Sequence, residues 1–188
     1  EYTDIPLTLF GQSFGGSILA GLLCWDEFTI DYDASVFCAS GLGSLQQHMQ
    51  QLRARGEVFD PSIKRYELNL SDHHYTSDTK YLNFMRDDPL CIRSISGRTQ
   101  QAFIDLEEMY VNSRVKQPDK PAIYIHPRHD PLVDHQVALG SFMRLTDKNG
   151  MVMQFNTDKH YLEFSPQQQR VWHWLSHYIL TAGYQHHA

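Results

Sequence analysis

The feature that most constrains this chain is Gly11-Gln12-Ser13-Phe14-Gly15, set between two contrasting stretches. Before it, residues 5–10 (Ile-Pro-Leu-Thr-Leu-Phe) form a short apolar run with the character of a buried strand. After it, residues 17–25 carry Ile18, Leu19, Leu22 and Leu23 at helical spacing. Glycines around a serine, between strand and helix, describe a tight, strained turn that lifts the hydroxyl to the carboxyl edge of a sheet. The positive end of the following helix then lies beside Ser13. The backbone N–H of Phe14 becomes a donor for a developing oxyanion. At average Gly and Ser usage the bare pattern arises by chance in roughly 5% of chains this long, so its context carries the argument. Gly16, directly after the motif, suits a helix packed close to a sheet.

The remaining chain supplies that context. Residues 34–39 and 122–126 read as buried strands, and Met151–Phe155 as another. Residues 133–145 read as a helix. A last helix runs from Ser165, as N-cap, with Pro166 at its first position, to about residue 180. Strands alternating with helices predict an α/β fold with a mainly parallel sheet and helices on both faces. Residues 44–90 break this rhythm. Leu45, Met49 and Leu52 among four glutamines suggest an exposed amphipathic helix. Residues 59–81 lack sustained periodicity and are expected to form an inserted subdomain rather than part of a sheet. Residues 94–115 read as a helix, with Phe103, Leu106, Met109 and Tyr110 on one face. The chain thus divides into core (1–43), insertion or lid (44–95) and core again (96–188).

Composition narrows the class. The chain has 188 residues, 41% of them hydrophobic and 20% charged, which fits one globular domain. Its formal net charge of −6 argues against nucleic acid as partner, since a phosphate backbone selects a basic face. No apolar run approaches the roughly 20 residues of a transmembrane helix. Cys24, Cys38 and Cys91 form no C-x-x-C pair and are odd in number, so they read as free thiols, and a reducing, cytoplasmic setting is expected. His173 and His177 lie four apart on the last helix without a third ligand and read as a solvated face. No metal or cofactor is expected. The sequence does not set an oligomeric state.

A serine on such a turn takes its acid and base from later loops, in the chain order Ser, Asp or Glu, His. The strand at 122–126 runs directly into Pro127-Arg128-His129-Asp130-Pro131-Leu132-Val133-Asp134. Asp130 falls in the loop at the strand's carboxyl end. Asp134 competes, but it opens the next helix, where the helix dipole alone favours an acid. Among eleven histidines, His160 falls between last strand and last helix. His126, His129 and His135 crowd the Asp130 loop and are expected near a pocket. In this arrangement His160 takes the proton of Ser13, and Asp130 holds the imidazole tautomer and stabilises its charge.

These residues resemble a known family: the lid-bearing serine hydrolases of the α/β-hydrolase fold, grouped with monoacylglycerol lipases, lysophospholipases and serine aminopeptidases. The resemblance rests on Gly11-Gln12-Ser13-Phe14-Gly15-Gly16, on Tyr75-Thr76-Ser77-Asp78 and Asp87-Asp88-Pro89-Leu90 late in the insertion, on Asp130-Pro131-Leu132-Val133-Asp134, and on His160 before a terminal amphipathic helix. It implies a triad of Ser13, Asp130 and His160, with Gly11 and Gly15 shaping the elbow. It also implies further strands ahead of the nucleophile strand, and with them a His-Gly-type turn supplying a second oxyanion donor. The chain is thus expected to be a fragment of that fold, presenting one donor, Phe14.

The expected substrate is a small acyl compound, first a fatty-acyl ester such as a monoacylglycerol or lysophospholipid, with transient contact to a membrane surface. Leu45, Met49, Leu52, Phe59, Tyr66, Tyr75, Tyr81, Phe84 and Met85 are candidates to line an acyl channel. A thioesterase or an aminopeptidase would use the same triad. The aminopeptidase would add a carboxylate for the amine, with Glu57 and Asp60 as candidates. A catalytically silent binding module of the same fold is the reading from a different class.

Overall fold

The computed structural model describes residues 5–56, 60–62 and 64–184, with side chains to residue 182. Phe59 and Glu57 lie outside the described residues. The elements run β1 (Thr8–Gln12), α1 (Phe14–Cys24), β2 (Ala34–Cys38), α2 (Ser44–Ala54), β3 (Arg65–Glu67), α3 (Asp72–Tyr75), α4 (Thr79–Asp87), β4 (Ser94–Ser96), α5 (Gly97–Tyr110), β5 (Ala122–Pro127), α6 (His135–Leu145), β6 (Met151–Phe155), a short 3-10 helix (Leu162–Phe164) and α7 (Gln168–Tyr184).

Four strands form one parallel sheet in the order β1-β2-β5-β6. Period-two alternation sends their side chains to two cores. Phe37 and Tyr124 face α1 and α6, packing with Leu19, Leu23, Phe142 and Leu145. Val36, Cys38, Ile123 and Ile125 face α7, packing with Val171, Leu175 and Tyr178. Both faces of the central strands β2 and β5 are covered, so these two read as continuous apolar runs rather than alternating ones. β1 pairs with β2 alone among the described strands, and Phe10 on it is exposed.

Several boundaries move from the sequence expectation. The first strand begins at Thr8 rather than Ile5. Pro6 has no N–H to give a ladder, and Leu7 is held instead by Asp33, whose Oδ2 accepts from Leu7 N at 2.6 Å. The helix after the elbow starts at Phe14, three residues early. The expected helix at 94–115 is shorter, because Ser94–Ser96 pair antiparallel with Arg65–Glu67 and Ser96 Oγ then caps α5 through Thr99 N (3.1 Å). The insertion therefore does contain a sheet, a two-stranded ribbon within the stretch expected to have none. The last helix begins at Gln168, two residues beyond Pro166. Ser165 Oγ still accepts from Gln167 N (3.1 Å), but residues 166–167 form a turn rather than helix.

The insertion packs lightly. α2 buries only Met49, and α3 and α4 bury none of their residues. Polar ends hold these elements instead. Ser71 and His74 form a capping box on α3, Asp78 caps α4 through Lys80 N (2.8 Å), and Arg93 makes a two-pronged ion pair with Asp72.

Candidate active site

The elbow forms because β1 runs straight into α1 through one residue. Ser13 takes φ 51° and ψ −122°, a region costly for a side-chain-bearing residue. It is pinned by its own N–H, which donates to Cys38 O at 2.8 Å, and by Gly16 N, which donates to Ser13 O at 3.1 Å. A Cβ on Gly11 would fall 2.6 Å from Gly15 O, and one on Gly16 would fall 1.9 Å from Ser40 Oγ. Those two positions admit only glycine. Gly15 differs: a Cβ there meets nothing within 4 Å, so its face opens onto the cavity and close packing does not require it.

Ser13, Asp130 and His160 meet at the carboxyl edge of the sheet. Asp130 lies in the loop after β5 and His160 in the loop after β6, with side chains 0% and 1% exposed. A carboxylate only accepts, so His160 Nδ1–H donates to Asp130 Oδ2 at 2.8 Å, with Oδ1 at 3.1 Å. That fixes the neutral tautomer, leaving Nε2 as acceptor for the Ser13 hydroxyl at 2.8 Å. Asp130 is itself oriented, since Oδ1 accepts from Leu132 N (2.8 Å) and Val133 N (3.2 Å). Asp134 stands apart as the N-cap of α6, accepting from Gln136 N (3.0 Å) and Val137 N (3.2 Å). Phe14 is the first residue of α1, so its N–H has no carbonyl four residues back within the helix.

The insertion grips the histidine loop. His160 N donates to His74 O and Tyr161 N to Tyr75 O, each at 3.0 Å, and Lys159 Nζ donates to His73 O at 2.8 Å. Thr76 Oγ1 donates to Phe164 O at 3.0 Å and accepts from Asp78 N at 3.0 Å. The Tyr75 ring stands edge-on to His160, with centroids 5.7 Å apart. The Thr76-Ser77-Asp78 motif thus has a physical role: one hydroxyl ties the two loops, and one carboxylate starts α4. Burial pushes the Tyr75 phenol up to about 12, and it also raises that of Tyr161.

A cavity of about 440 Å³ opens at Ser13. Its wall includes Gln12, Phe14, Leu68, Leu70, Met85, Ile92 and Phe103, with Tyr75 and Tyr161 beside the triad. Of the expected channel residues, Tyr75 and Met85 reach it. Leu45, Leu52 and Tyr66 line a neighbouring cavity, Met49 is buried, Tyr81 stacks on Phe164 and Phe84 faces solvent. His126, His129 and His135 do not line the Ser13 cavity. His126 and His135 pack ring against ring at 4.3 Å in the protein body, and His129 is exposed. Among the described residues no three His, Cys, Asp or Glu side chains form a metal-binding group, and His173 and His177 are exposed.

Sequence reading missed two residues beside the triad. Glu163 Oε1 accepts from Gln12 Nε2 at 2.6 Å, tying the elbow to the histidine loop. Its carboxylate, with that of Asp130, adds to burial in raising the Cys38 thiol. The available signal was position: Gln12 is inside the elbow motif, and Glu163 follows His160 by three residues.

Sheet, elbow and Ser–His–Asp constellation together define an α/β-hydrolase fold. The family profile described as serine aminopeptidase, S33, matches residues 1–164, and the chain belongs to that family. Among solved structures it is similar to a soluble variant of monoglyceride lipase from Saccharomyces cerevisiae in complex with a substrate analogue, at 17% identity and TM-score 0.73, covering 96% of this chain and 63% of that one. It is similar to a monoacylglycerol lipase from Paleococcus ferrophilus at 14% identity and TM-score 0.67, covering 94% and 69%. The methylesterase MES16 from Arabidopsis follows at 17% identity and TM-score 0.62, covering 96% and 72%. The chain thus spans less than two thirds of the yeast lipase. No curated protein matches it in sequence.

Proposed function

We propose that this protein is a serine hydrolase that cleaves carboxylic esters through an acyl-enzyme on Ser13, with fatty-acyl esters such as monoacylglycerol or lysophospholipid as its first substrates. The observation carrying this reading is the unbroken relay from Ser13 through His160 to Asp130, facing an apolar cavity. Ser13 Oγ attacks the acyl carbon while its proton passes to His160 Nε2. Asp130 stabilises the imidazolium. The Phe14 N–H donates to the oxyanion. Collapse expels the alcohol, which takes the proton from His160, and water repeats the sequence on the acyl-enzyme.

The lipid preference draws on the insertion, read as a lid over residues 44–95. Phe84, Leu90 and Ile92 are 67%, 84% and 69% exposed there, and Ile92 also borders the cavity. Such a rim suits brief contact with a lipid surface. No helix among the described residues is long and apolar enough to span a membrane. Three free thiols fit a reducing, cytoplasmic setting. For an aminopeptidase, no carboxylate among the described residues lines the Ser13 cavity itself, and Asp60 lines the neighbouring one. Asp60 uses its oxygens on Ser62 N (2.9 Å) and Ser62 Oγ (3.1 Å). Thioesters would react by the same steps.

The test is turnover by the protein expressed from its complete reading frame. Monoacylglycerol, lysophosphatidylcholine, an acyl thioester and an aminoacyl anilide are compared, each with Ser13→Ala as control. Ester turnover that vanishes in Ser13→Ala is the expected result. Anilide turnover alone would move the reading to an aminopeptidase. No turnover of any by folded protein would leave the silent binding module.

A further inference from the structure

The cavity at Ser13 is not isolated. A second cavity of about 410 Å³ lies beneath α2, lined by Leu45 and Leu52 of that helix, by Tyr66 and Glu67 of the ribbon and by Asp60. Leu68, Ile95 and Phe103 line both. Of these three, Phe103 packs against the residue that follows Ser13. Its ring centroid lies 4.0 Å from that of Phe14, the residue after Ser13, with the planes tilted by 38°. Phe103 projects from α5 and is only partly buried. A phenylalanine has no polar atom to hydrogen-bond, so packing alone holds its ring. Each cavity lies within the roughly 300–1,000 Å³ typical of small-molecule sites.

We infer that the acyl site has two compartments and that Phe103 is the partition between them, making it the residue that sets acyl chain length. A short acyl chain on Ser13 fills the first cavity against Leu68, Ile95 and Phe103. A long chain must displace the Phe103 ring and thread on towards Leu45 and Leu52. The second cavity also carries polar side chains, His48, Asp60, Glu67 and Gln100, which meet a terminal methyl poorly and so limit how far a chain is accepted. This inference rests on the serine-hydrolase reading.

The experiment measures kcat/KM of the complete protein on p-nitrophenyl butyrate, octanoate, dodecanoate and palmitate, for wild type, Phe103→Ala, Leu52→Trp and the double variant. Phe103→Ala is expected to move the optimum to longer chains, by about fourfold per added methylene accommodated. Leu52→Trp is expected to lower the palmitate-to-butyrate ratio, and to cancel the shift when added to Phe103→Ala. An optimum unmoved in a Phe103→Ala protein that melts like wild type would overturn the inference. Should Phe103→Ala not fold, an unchanged palmitate-to-butyrate ratio in Leu52→Trp would overturn it equally. The hydrolase reading fails differently, by absence of Ser13-dependent turnover on all four esters.

Discussion

The sheet core and the insertion obey different physics. In the core, Phe37, Tyr124 and Phe142 are fully buried and interlock at centroid distances of 5.5 and 5.6 Å. In the insertion, α3 and α4 bury no residue, and caps, an ion pair and the ring contacts of Tyr75 and Tyr81 with the histidine loop hold the segments. A close-packed body resists change of shape, whereas segments held by polar ends shift at low cost. The division suits a hydrolase. On the proposed reading the triad stands on loops of the rigid body, and the cavity wall is shared between that body, through Phe14, Phe103 and Tyr161, and the loosely packed part, through Leu68, Leu70, Met85 and Ile92. One strip of the insertion is an exception. Residues 73–76 hydrogen-bond to the histidine loop, so that strip belongs mechanically to the site.

Substitutions in the two regions should differ in kind as well as size. The largest effect is expected in the core site. Ser13→Ala should cost roughly a million-fold in kcat and Asp130→Asn about ten-thousand-fold, on every ester alike. A loss confined to long-chain esters would break the division. Next comes stability. Phe142→Ala should cost about 3–5 kcal/mol in denaturant unfolding, by opening a cavity in a packed core. Phe84→Ala, in the insertion, should stay within about 0.5 kcal/mol. Comparable losses would show the insertion to be part of the core.

Thr76→Val sharpens the exception. It strips a buried donor from Phe164 O and an acceptor from Asp78 N, for a loss of about 1–3 kcal/mol. If the strip positions His160, kcat should fall with KM little changed, and Thr76→Ser should restore it. An equal fall in Thr76→Ser would assign the effect to packing.

The smallest expected effect is in pH. Burial lowers the pKa of His126, with neighbouring His135 acting in the same direction. Folded His126 therefore binds fewer protons than unfolded chain, and stability falls as pH drops below the unfolded value of about 6.5. His126→Gln should flatten that part of a melting-temperature profile. An unchanged slope would place the acid sensitivity elsewhere.

What the sequence made readable follows the same division. Each sheet strand was visible as a short apolar run; for β2 and β5 the reason is burial on both faces, whereas β1 and β6 are apolar but partly exposed edge strands of the described sheet. Asp130 and His160 were visible from their places after strands. The ribbon of Arg65–Glu67 with Ser94–Ser96 was not, since three-residue strands joined across a long segment leave no period. Phe103 was visible as one residue of a helical stripe, but its place between two cavities depends on how α5 meets α1, α2 and the ribbon. Glu163 was silent because its partner Gln12 lies 151 residues away. Gly15 was over-read: its motif position is shared with Gly11, but its surroundings are open.

The central claim is that Ser13 is a nucleophile activated by His160. The most direct measurement treats the protein from its complete reading frame with a fluorophosphonate probe, maps the adduct by mass spectrometry, and repeats this with His160→Ala. The account predicts one adduct, on Ser13, formed far more slowly in His160→Ala. A folded protein that stays unlabelled, or that labels equally fast without His160, would contradict it.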